Sequence, residues 1–450
     1  MKTKDGFILM AFLLFIGLVL APSINANKGS LSEKTIIGIS DGNHPPIIIN
    51  GNDDFTPENG VTGGNGTEND PYIIEDWIIV GDGSASDGIF INNTNAYFMI
   101  RNCTVYDFHH PDMYYDGVKF SNVENGGIEN TSIYKSHTGI DLRYSTNIKV
   151  SNCSCYDFPV LYGVGINCYR STRITIKSSE CYNLDTGIDL TKSSDIIVEK
   201  TKCYNNDVGL NSFSVEPTTM HIIIKDSKFY DNEWYGVKLL DRIRHPSYSR
   251  VVNCEFYNNG HEPKKAGLAI QRLSNNIVEN CSFHNNYVGM STDSENNIIR
   301  NCSAFNNLET GFLINGALLV LNPARNNKII NCDAYNNLIG IGFWSSFGSV
   351  VEKCNVYNNS VWGIENDVLS IVRIKQSNIY ENGYNESYRE SSGLWAMWFS
   401  FVDARDNWWG AEDGPRFRFH FGHGDQIKRS KSIVLFRPWE REPIPDAGVK

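Results

Sequence analysis

A seven-residue motif recurs about twelve times along the chain and limits the folds that the chain can adopt. It reads Asn-Cys-x-φ-Tyr-Asn-Asn, where φ is apolar, and clear copies are Asn253–Asn259, Asn280–Asn286, Asn301–Asn307 and Asn331–Asn337. Aligned on the aromatic residue, successive copies lie 21 to 30 residues apart. A repeat of this length is typical of a solenoid, in which each repeat packs only against its neighbours.

The aligned positions keep their chemical character from one repeat to the next. The aromatic position is occupied by Tyr106, Tyr134, Tyr156, Tyr182, Tyr204, Tyr230, Tyr257, His284, Phe305, Tyr335, Tyr357 and Tyr380. Three residues earlier every repeat has Cys, Ser or Thr, and the residue directly before the aromatic is Cys, Ala, Val, Ile or Phe. This uniformity indicates that equivalent positions stack above one another and that these two columns face inward.

Each repeat contains two further apolar segments that favour β-strands. One begins with glycine, as in Gly139-Ile-Asp-Leu, and the other is β-branched, as in Ile174-Thr-Ile. Alternation at period two marks strands with one inward face, and no segment has a convincing helical period. The sequence therefore predicts an all-β fold, a parallel β-helix whose coils each consist of two or three short strands.

The eleven cysteines all fall on positions that this alignment places inward. Parallel side chains in stacked coils lie about 4.8 Å apart, which exceeds the Cβ separation of about 3.8 Å that a disulfide prefers. We therefore expect mostly free, buried thiols that act as small apolar side chains. A stack of thiolates that binds Cu(I) is the functional alternative, but buried columns offer a metal no open path.

The two ends of the chain differ from the repeats. Residues 1–26 are predicted to be a signal peptide, with Lys2 and Lys4 before the apolar run Phe7–Leu20, and an uncleaved anchor is the alternative. Residues 27–44 are expected to form a linker, 45–87 the N-terminal cap and first coil, 88–405 the repeats, and 406–450 the C-terminal cap and tail. Trp408, Trp409 and Trp439 are candidates to plug the open core.

Composition limits the partners. A net charge of −11 opposes binding to nucleic acid, whose phosphates require a surplus of Lys and Arg. No second long apolar run follows the signal peptide, so no membrane span is expected in the mature chain. We expect an extracellular or cell-surface protein and, by default, a monomer. No metal site or cofactor is predicted from the spacing of His, Cys, Asp and Glu.

The two ends and the coils together resemble a known class of proteins. The opening segment Asn65–Trp77 (NGTENDPYIIEDW) and the closing Asn-Trp-Trp-Gly, Gly-Pro and Pro-Trp segments resemble secreted archaeal and bacterial β-helix proteins of the NosD type. The coils resemble the pectin-lyase-like superfamily, over nearly all of residues 45–440. The resemblance implies a single right-handed parallel β-helix solenoid of about 12–14 coils with N- and C-terminal caps. It implies no single activity, because this fold hosts lyases, glycosidases, adhesins and accessory proteins.

The third residue of the glycine-led strand is expected to face outward, away from packing. Down the coils this position holds Phe90, Lys119, Asp141, Asn167, Asp189, Asn211, Lys238, Ala269, Ser291, Leu313, Gly342, Glu365 and Trp395. The stretch from Lys119 to Lys238 is its most polar part. An outward strand position is often polar simply because it is exposed to solvent. This structural interpretation is the alternative to carbohydrate binding and to catalysis.

A sugar-binding cleft needs flat rings for stacking, with carboxylates and amides for hydroxyl groups. Two long turns, 107–116 and 157–162, enter the glycine-led strand beside the polar stretch, and the first of them also contains His110. The predicted substrate-binding residues are Arg143, Asn167, Tyr169, Tyr114, Tyr115 and His109. We therefore expect the protein to recognise carbohydrate or other envelope components.

Catalysis is the alternative, with Asp141 and Asp189 as candidate catalytic residues. They lie two coils apart, about 9.6 Å between backbones, and inverting glycosidases place their carboxyl groups roughly 6.5–9.5 Å apart. A polysaccharide lyase of this superfamily would instead combine a Ca²⁺–carboxylate cluster with a basic proton acceptor, a place that Lys119 or Arg143 could take. No catalytic motif of the family is matched. A second alternative, by analogy with NosD alone, is an accessory role in the maturation of a metal enzyme.

Overall fold

The computed structural model describes residues 42–81, 86–108, 114–158, 162–214, 220–263, 265–316, 322–384 and 391–450. The predicted signal peptide and most of the predicted linker lie outside these residues, as do His109 and His110. Every other residue of the predicted site is described. Among the described residues, no helix is long and apolar enough to cross a membrane.

The described chain winds into a right-handed β-helix with three sheets. Their strands are parallel, as the repeat predicts, apart from Val61–Gly63, which is antiparallel to Tyr72–Glu75, and a hairpin at the C-terminal end. Each coil contributes one strand to each sheet in turn. The first sheet comprises Asn43–His44, Ile78–Val80, Thr104–Phe108, Ser132–Ser136, Ser154–Tyr156, Glu180–Tyr182, Lys202–Tyr204, Lys228–Tyr230, Glu255–Tyr257, Ser282–His284, Ser303–Phe305, Asp333–Tyr335, Asn355–Tyr357 and Asn378–Tyr380. The last twelve of these strands carry the recurrent motif, so its equivalent positions form continuous columns.

The second sheet is built from the glycine-led segments. Its strands are Ile47–Asn50, Ile89–Thr94, Asp116–Val123, Thr138–Arg143, Val164–Tyr169, Thr186–Asp189, Val208–Ser214, Tyr235–Pro246, Ala266–Ser274, Val288–Thr292, Thr310–Asn315, Ile339–Trp344, Trp362–Asn366, Ser392–Met397 and Gly424–Ser430. A short antiparallel hairpin, Pro415–Phe417 with His420–Phe421, joins the end of this sheet. The outer face of the second sheet carries the predicted site.

The third sheet is built from the β-branched segments. Its strands are Val61–Gly63, Tyr72–Glu75, Phe98–Arg101, Gly126–Glu129, Thr146–Ser151, Thr172–Lys177, Ser194–Glu199, Ile222–Lys225, Arg250–Val252, Ile277–Glu279, Ile298–Arg300, Ala324–Arg325, Lys328–Ile330, Ser346–Glu352, Ile371–Lys375, Phe401–Asp403 and Ile433–Leu435. Among the described residues, the helical segments are two short 3-10 turns, Asn52–Asp54 and Pro57–Asn59. The architecture is therefore all-β, as predicted.

The core is a stack of apolar columns that includes the cysteines. All eleven cysteines are buried and free, which confirms the prediction of unpaired thiols. Burial raises the pKa of Cys103 to about 11 and that of Cys153 to about 12. Since the thiolate is the reactive form, Cys103 and Cys153 act as packing groups at neutral pH.

The aromatic column forms a ladder of parallel rings along the edge of the first sheet. From Tyr106 to Tyr380, neighbouring ring centroids lie 4.8–5.3 Å apart with nearly parallel planes. Trp408 closes the C-terminal end of the ladder, 5.4 Å from Tyr380. Because the ring faces cover one another, the ladder presents edges to solvent, and a sugar ring has no flat platform there.

Paired asparagines follow the aromatic in six of the twelve repeats, and the two residues of a pair have different roles. The first residue of a pair turns the chain in the left-handed region, as Asn285 does at φ 55°, a conformation that asparagine tolerates better than most residues. The second is buried, and its amide hydrogen-bonds to the equivalent amide of the next coil. Asn286 accepts from Asn259 Nδ2 at 3.0 Å and donates to Asn307 Oδ1 at 3.2 Å. These bonds fix the register of successive coils.

The caps cover both ends of the core. At the C-terminal end, Trp409 is completely buried among the last coils, and Trp439 is partly buried against them. The asparagine ladder ends there as well, because Asn382 Nδ2 donates to Asp425 Oδ2 at 2.8 Å. At the N-terminal end, Phe55 stacks on Tyr72 with ring centroids 4.6 Å apart.

Candidate functional site

The predicted outward column exists and is in continuous register on the second sheet. Lys119 pairs with Asp141, Asp141 with Asn167, and Asn167 with Asp189. The pairing then continues through Asn211 to Lys238. The sequence therefore placed the polar residues of this face correctly relative to one another, and Asp141 and Asp189 lie two coils apart as expected.

Asp141 is outside the coil interior but inaccessible to solvent. Its side chain is fully buried. Arg143 Nε lies 2.6 Å from Oδ2, and Asn167 Nδ2 donates to Oδ1 at 2.7 Å. Lys119 Nζ lies 3.9 Å from Oδ2. Both carboxylate oxygens already accept hydrogen bonds from the protein. Asp141 therefore orients the two cations and the amide around it.

Two further carboxylates, which the sequence analysis did not single out, complete this cluster. Lys119 Nζ lies 2.7 Å from Asp116 Oδ2 and 3.6 Å from Asp87 Oδ2. Burial and the neighbouring charge of Asp141 raise the pKa of Asp116 to about 7. Asp87 and Asp116 each directly precede the glycine of a glycine-led segment. That shared position is the signal by which the sequence could have revealed them.

The cluster is layered: its carboxylates are the more buried groups, and its cations lie nearer to solvent. The exposed fraction of the side chain is 0% for Asp141 and 4% for Asp116, but 22% for Lys119 and 47% for Arg143. Burial lowers the pKa of Lys119, but its carboxylate neighbours raise it by more. Lys119 and Arg143 therefore stay charged at neutral pH, and they are the most exposed side chains of a cluster that also contains three carboxylates.

Aromatic and imidazole rings flank this cationic surface. Tyr114 is exposed, and its ring centroid lies 4.3 Å from that of His137. Burial lowers the pKa of His137, an effect that the charge of Asp141 opposes and the charges of Arg143 and Lys119 reinforce. His137 is therefore neutral near pH 7. The sequence analysis missed His137 because it lies in the turn before the glycine-led strand, where the repeat pattern sets no residue type.

The remaining predicted residues are distributed around this centre. Tyr169 pairs with Arg143 in register and packs edge-on against Tyr144, with Lys192 Nζ 5.6 Å from its ring centroid. Tyr115 is half-buried against the hydrophobic core, which makes its ring less accessible than that of Tyr114. Tyr114, Tyr169 and Asn167 therefore lie at the surface of the site, whereas Tyr115 supports it from below.

Asp189 belongs to a separate group of hydrogen bonds. Its Oδ1 accepts from the Thr191 amide at 2.9 Å and from Thr191 Oγ1 at 2.5 Å, and its Oδ2 accepts from Asn211 Nδ2 at 3.2 Å. Burial raises the pKa of Asp189, and these hydrogen bonds oppose the increase. Among the described residues, no group of three or more His, Cys, Asp and Glu side chains is arranged to hold a metal ion.

The sequence was compared with known proteins. The model of the family described as "Right handed beta helix region" matches residues 87–244 and 218–318, which together make up just over half of the chain. The chain belongs to the right-handed β-helix family. No curated protein matches the sequence.

Several solved structures also match the chain, at low sequence identity. The A-module of Azotobacter vinelandii mannuronan C-5 epimerase AlgE4 has 14% identity and a TM-score of 0.42, and the match covers 66% of this chain and 83% of the module. A double mutant of the periplasmic alginate epimerase AlgG has 13% identity and a TM-score of 0.43, with 81% and 85% covered. Tailspike protein 3 of bacteriophage CBA120 has 9% identity and a TM-score of 0.43, with 67% and 54% covered. Identities this low carry no information on function.

Proposed function

We propose that this β-helix protein binds carbohydrate on the outer face of its second sheet, at the site centred on Lys119 and Arg143. The observation that carries the proposal is the layered cluster: buried carboxylates hold two cations in fixed positions at the surface, beside the exposed ring of Tyr114. Aromatic rings stack on sugar rings, and fixed polar groups select among their substituents. Secretion stays a prediction, because residues 1–26 lie outside the described residues.

The cations make an acidic sugar the preferred ligand. Lys119 and Arg143 can both approach a carboxylate or sulfate group, and the planar guanidinium of Arg143 can bind two oxygens at once. The buried partners hold these side chains in place, which reduces the conformational entropy that binding would otherwise remove. A neutral sugar would leave both charges without a ligand partner.

One observation favours a second candidate function, a polysaccharide lyase. A neutral imidazole is a competent proton acceptor. His137 is neutral near pH 7, and the charges of Lys119 and Arg143 help to lower its pKa. His137 would take the proton from the carbon next to the uronate carboxylate. Negative charge would then grow on the carboxylate, and the two cations would stabilise it. The C4–O bond would then break to form the double bond, and the departing oxygen would take a proton from water. A hydrolase that uses Asp141 directly has less support, because both oxygens of Asp141 are occupied.

The two candidates separate in one experiment. The protein is incubated with a panel of acidic and neutral oligosaccharides while binding and the ultraviolet absorbance of unsaturated uronates are both followed. Binding of acidic members without new absorbance supports recognition alone. Absorbance that grows with time and disappears in His137→Ala supports the lyase. Binding of no member of the panel, or equal binding of acidic and neutral members, contradicts the proposal.

A further inference from the structure

The C-terminal end of the solenoid exposes a set of large apolar side chains. This end surface consists of the turn Trp398–Phe399, the hairpin Pro415–Phe421 and the last strands of the second and third sheets, Gly424–Ser430 and Ile433–Leu435. The exposed residues are Phe419 (90%), Phe421 (80%), Phe399 (67%), Ile433 (57%), Trp398 (45%) and Leu435 (40%). Clustered exposed apolar groups of this size mark an interaction surface more often than single exposed residues do.

The hairpin and the last strands of this end surface carry a surplus of positive charge. Within residues 415–439 the charged side chains are six cations and a single carboxylate, Asp425. The cations are Arg416, Arg418, Lys428, Arg429, Lys431 and Arg437. Asp425 is half-buried at the end of the asparagine ladder, where it accepts from Asn382, and nearby Asp413 is hydrogen-bonded to His423 at 2.6 Å. The whole chain has a net charge of −11, so this concentration of positive charge is a local departure.

The apolar and basic groups belong to one surface. Lys431 Nζ lies 4.9 Å from the Trp398 ring centroid, and the Phe399 amide donates to the Lys431 carbonyl at 3.1 Å. The guanidinium groups of Arg418 and Arg429 lie 5.9 and 5.8 Å from the ring centroid of Phe417, which connects the hairpin to the last strand. A cation therefore lies beside the exposed Trp398 ring, and two more lie beside Phe417, in the strand that begins the hairpin.

The charge selects among the possible occupants of this surface. A second copy stacked end to end would bring two sets of six cations together, which like-charge repulsion opposes. Lysines on a terminal strand can simply block such stacking, but that role does not account for two phenylalanines that project from a hairpin. Exposed aromatic side chains with Lys and Arg nearby suit the interface of an anionic lipid membrane. There the aromatic rings enter the acyl boundary and the cations contact the headgroups. We infer that the end surface docks on an anionic membrane.

The test uses the purified full chain and two kinds of vesicle, phosphatidylcholine alone and phosphatidylcholine with about 30% phosphatidylglycerol. Co-sedimentation should show binding to the anionic vesicles, at least about tenfold weaker binding to neutral ones, and release by salt. Phe419→Ser with Phe421→Ser should weaken binding to anionic vesicles by about tenfold or more, and so should Arg418→Gln with Lys431→Gln. Leu308→Ser, which alters another exposed apolar residue (66%) elsewhere, should have no effect.

Several outcomes would overturn the inference. One is the absence of vesicle binding, and another is binding that the paired phenylalanine substitutions leave unchanged. Preference for double-stranded DNA over anionic vesicles at equal salt would assign the basic surface to nucleic acid instead. A dimer in analytical ultracentrifugation that the phenylalanine substitutions dissociate would assign it to a second copy. Circular dichroism and thermal unfolding verify that each variant is folded.

Discussion

Arg143 and Asp141 form an ion pair in which the carboxylate is completely buried and the guanidinium is about half exposed, with Nε 2.6 Å from Oδ2. The geometry is that of a charge-assisted hydrogen bond, which is shorter and stronger than a neutral one. The buried partner holds the head of Arg143 at one place on the outer face of the second sheet. Arg143 therefore combines a fixed position with exposure to ligands.

The first prediction concerns this pair. Arg143→Gln should weaken binding of an acidic oligosaccharide by about tenfold, because a charged donor to the ligand is lost. It should also lower the free energy of unfolding by about 1–2 kcal/mol, because Asp141 stays buried with one cation fewer while solvent screens part of the loss. Calorimetric titration and urea unfolding measure the two effects. Arg173→Gln, at an exposed position in the third-sheet strand Thr172–Lys177, should change neither affinity nor stability appreciably.

The second prediction concerns the asparagine ladder. Asn286→Ala should lower the free energy of unfolding by about 3 kcal/mol, because the Asn259 amide loses its acceptor and the buried Phe256 carbonyl loses its donor. Urea unfolding measures the change. The matched control is the preceding residue, since Asn285→Gly keeps the left-handed turn at an exposed position. If the two variants are equally stable, the ladder does not contribute in the way proposed here.

The third prediction concerns pH. Burial raises the pKa of Asp425 to about 7 from its ordinary value of 3.8, against the opposing hydrogen bonds from Asn382. A carboxyl whose pKa is raised on folding stabilises the protein while it is protonated, and this contribution is lost as pH rises from 3.8 to about 7. The free energy of unfolding of the wild type should therefore fall over this window by about 2–4 kcal/mol more than that of Asp425→Asn.

Urea unfolding at intervals between pH 4 and pH 8 provides the measurement. Asp53→Asn, at an exposed position near the N-terminal cap, should reproduce the wild-type curve. Parallel curves for the wild type and Asp425→Asn would show that the carboxyl at the end of the ladder is not titrating in this range.

The repeat pattern allowed much of this structure to be predicted, because in a solenoid each aligned position becomes a column. The aromatic ladder, the inward cysteines and the register from Lys119 to Asn211 all follow from alignment on one ring.

What alignment could not supply is the environment that adjacent coils create. Asp141 was expected to be an accessible carboxylate, but Arg143 from its own strand and Asn167 from the next coil cover it. Asp116 and His137 lie at the entry to the second sheet, where the repeat does not fix the residue type. Their roles depend on distances between coils, which the one-dimensional pattern does not contain.

The central claim is that Lys119 and Arg143 form a site for acidic carbohydrate, and one titration tests it most directly. A uronic-acid oligosaccharide and its carboxyl-reduced neutral counterpart are titrated into the wild type, Lys119→Gln and the exposed control Lys149→Gln. The wild type and the control should bind the acidic ligand at least about tenfold more tightly than the neutral one, and Lys119→Gln should lose that preference. Equal affinity of the wild type for both ligands would contradict the claim.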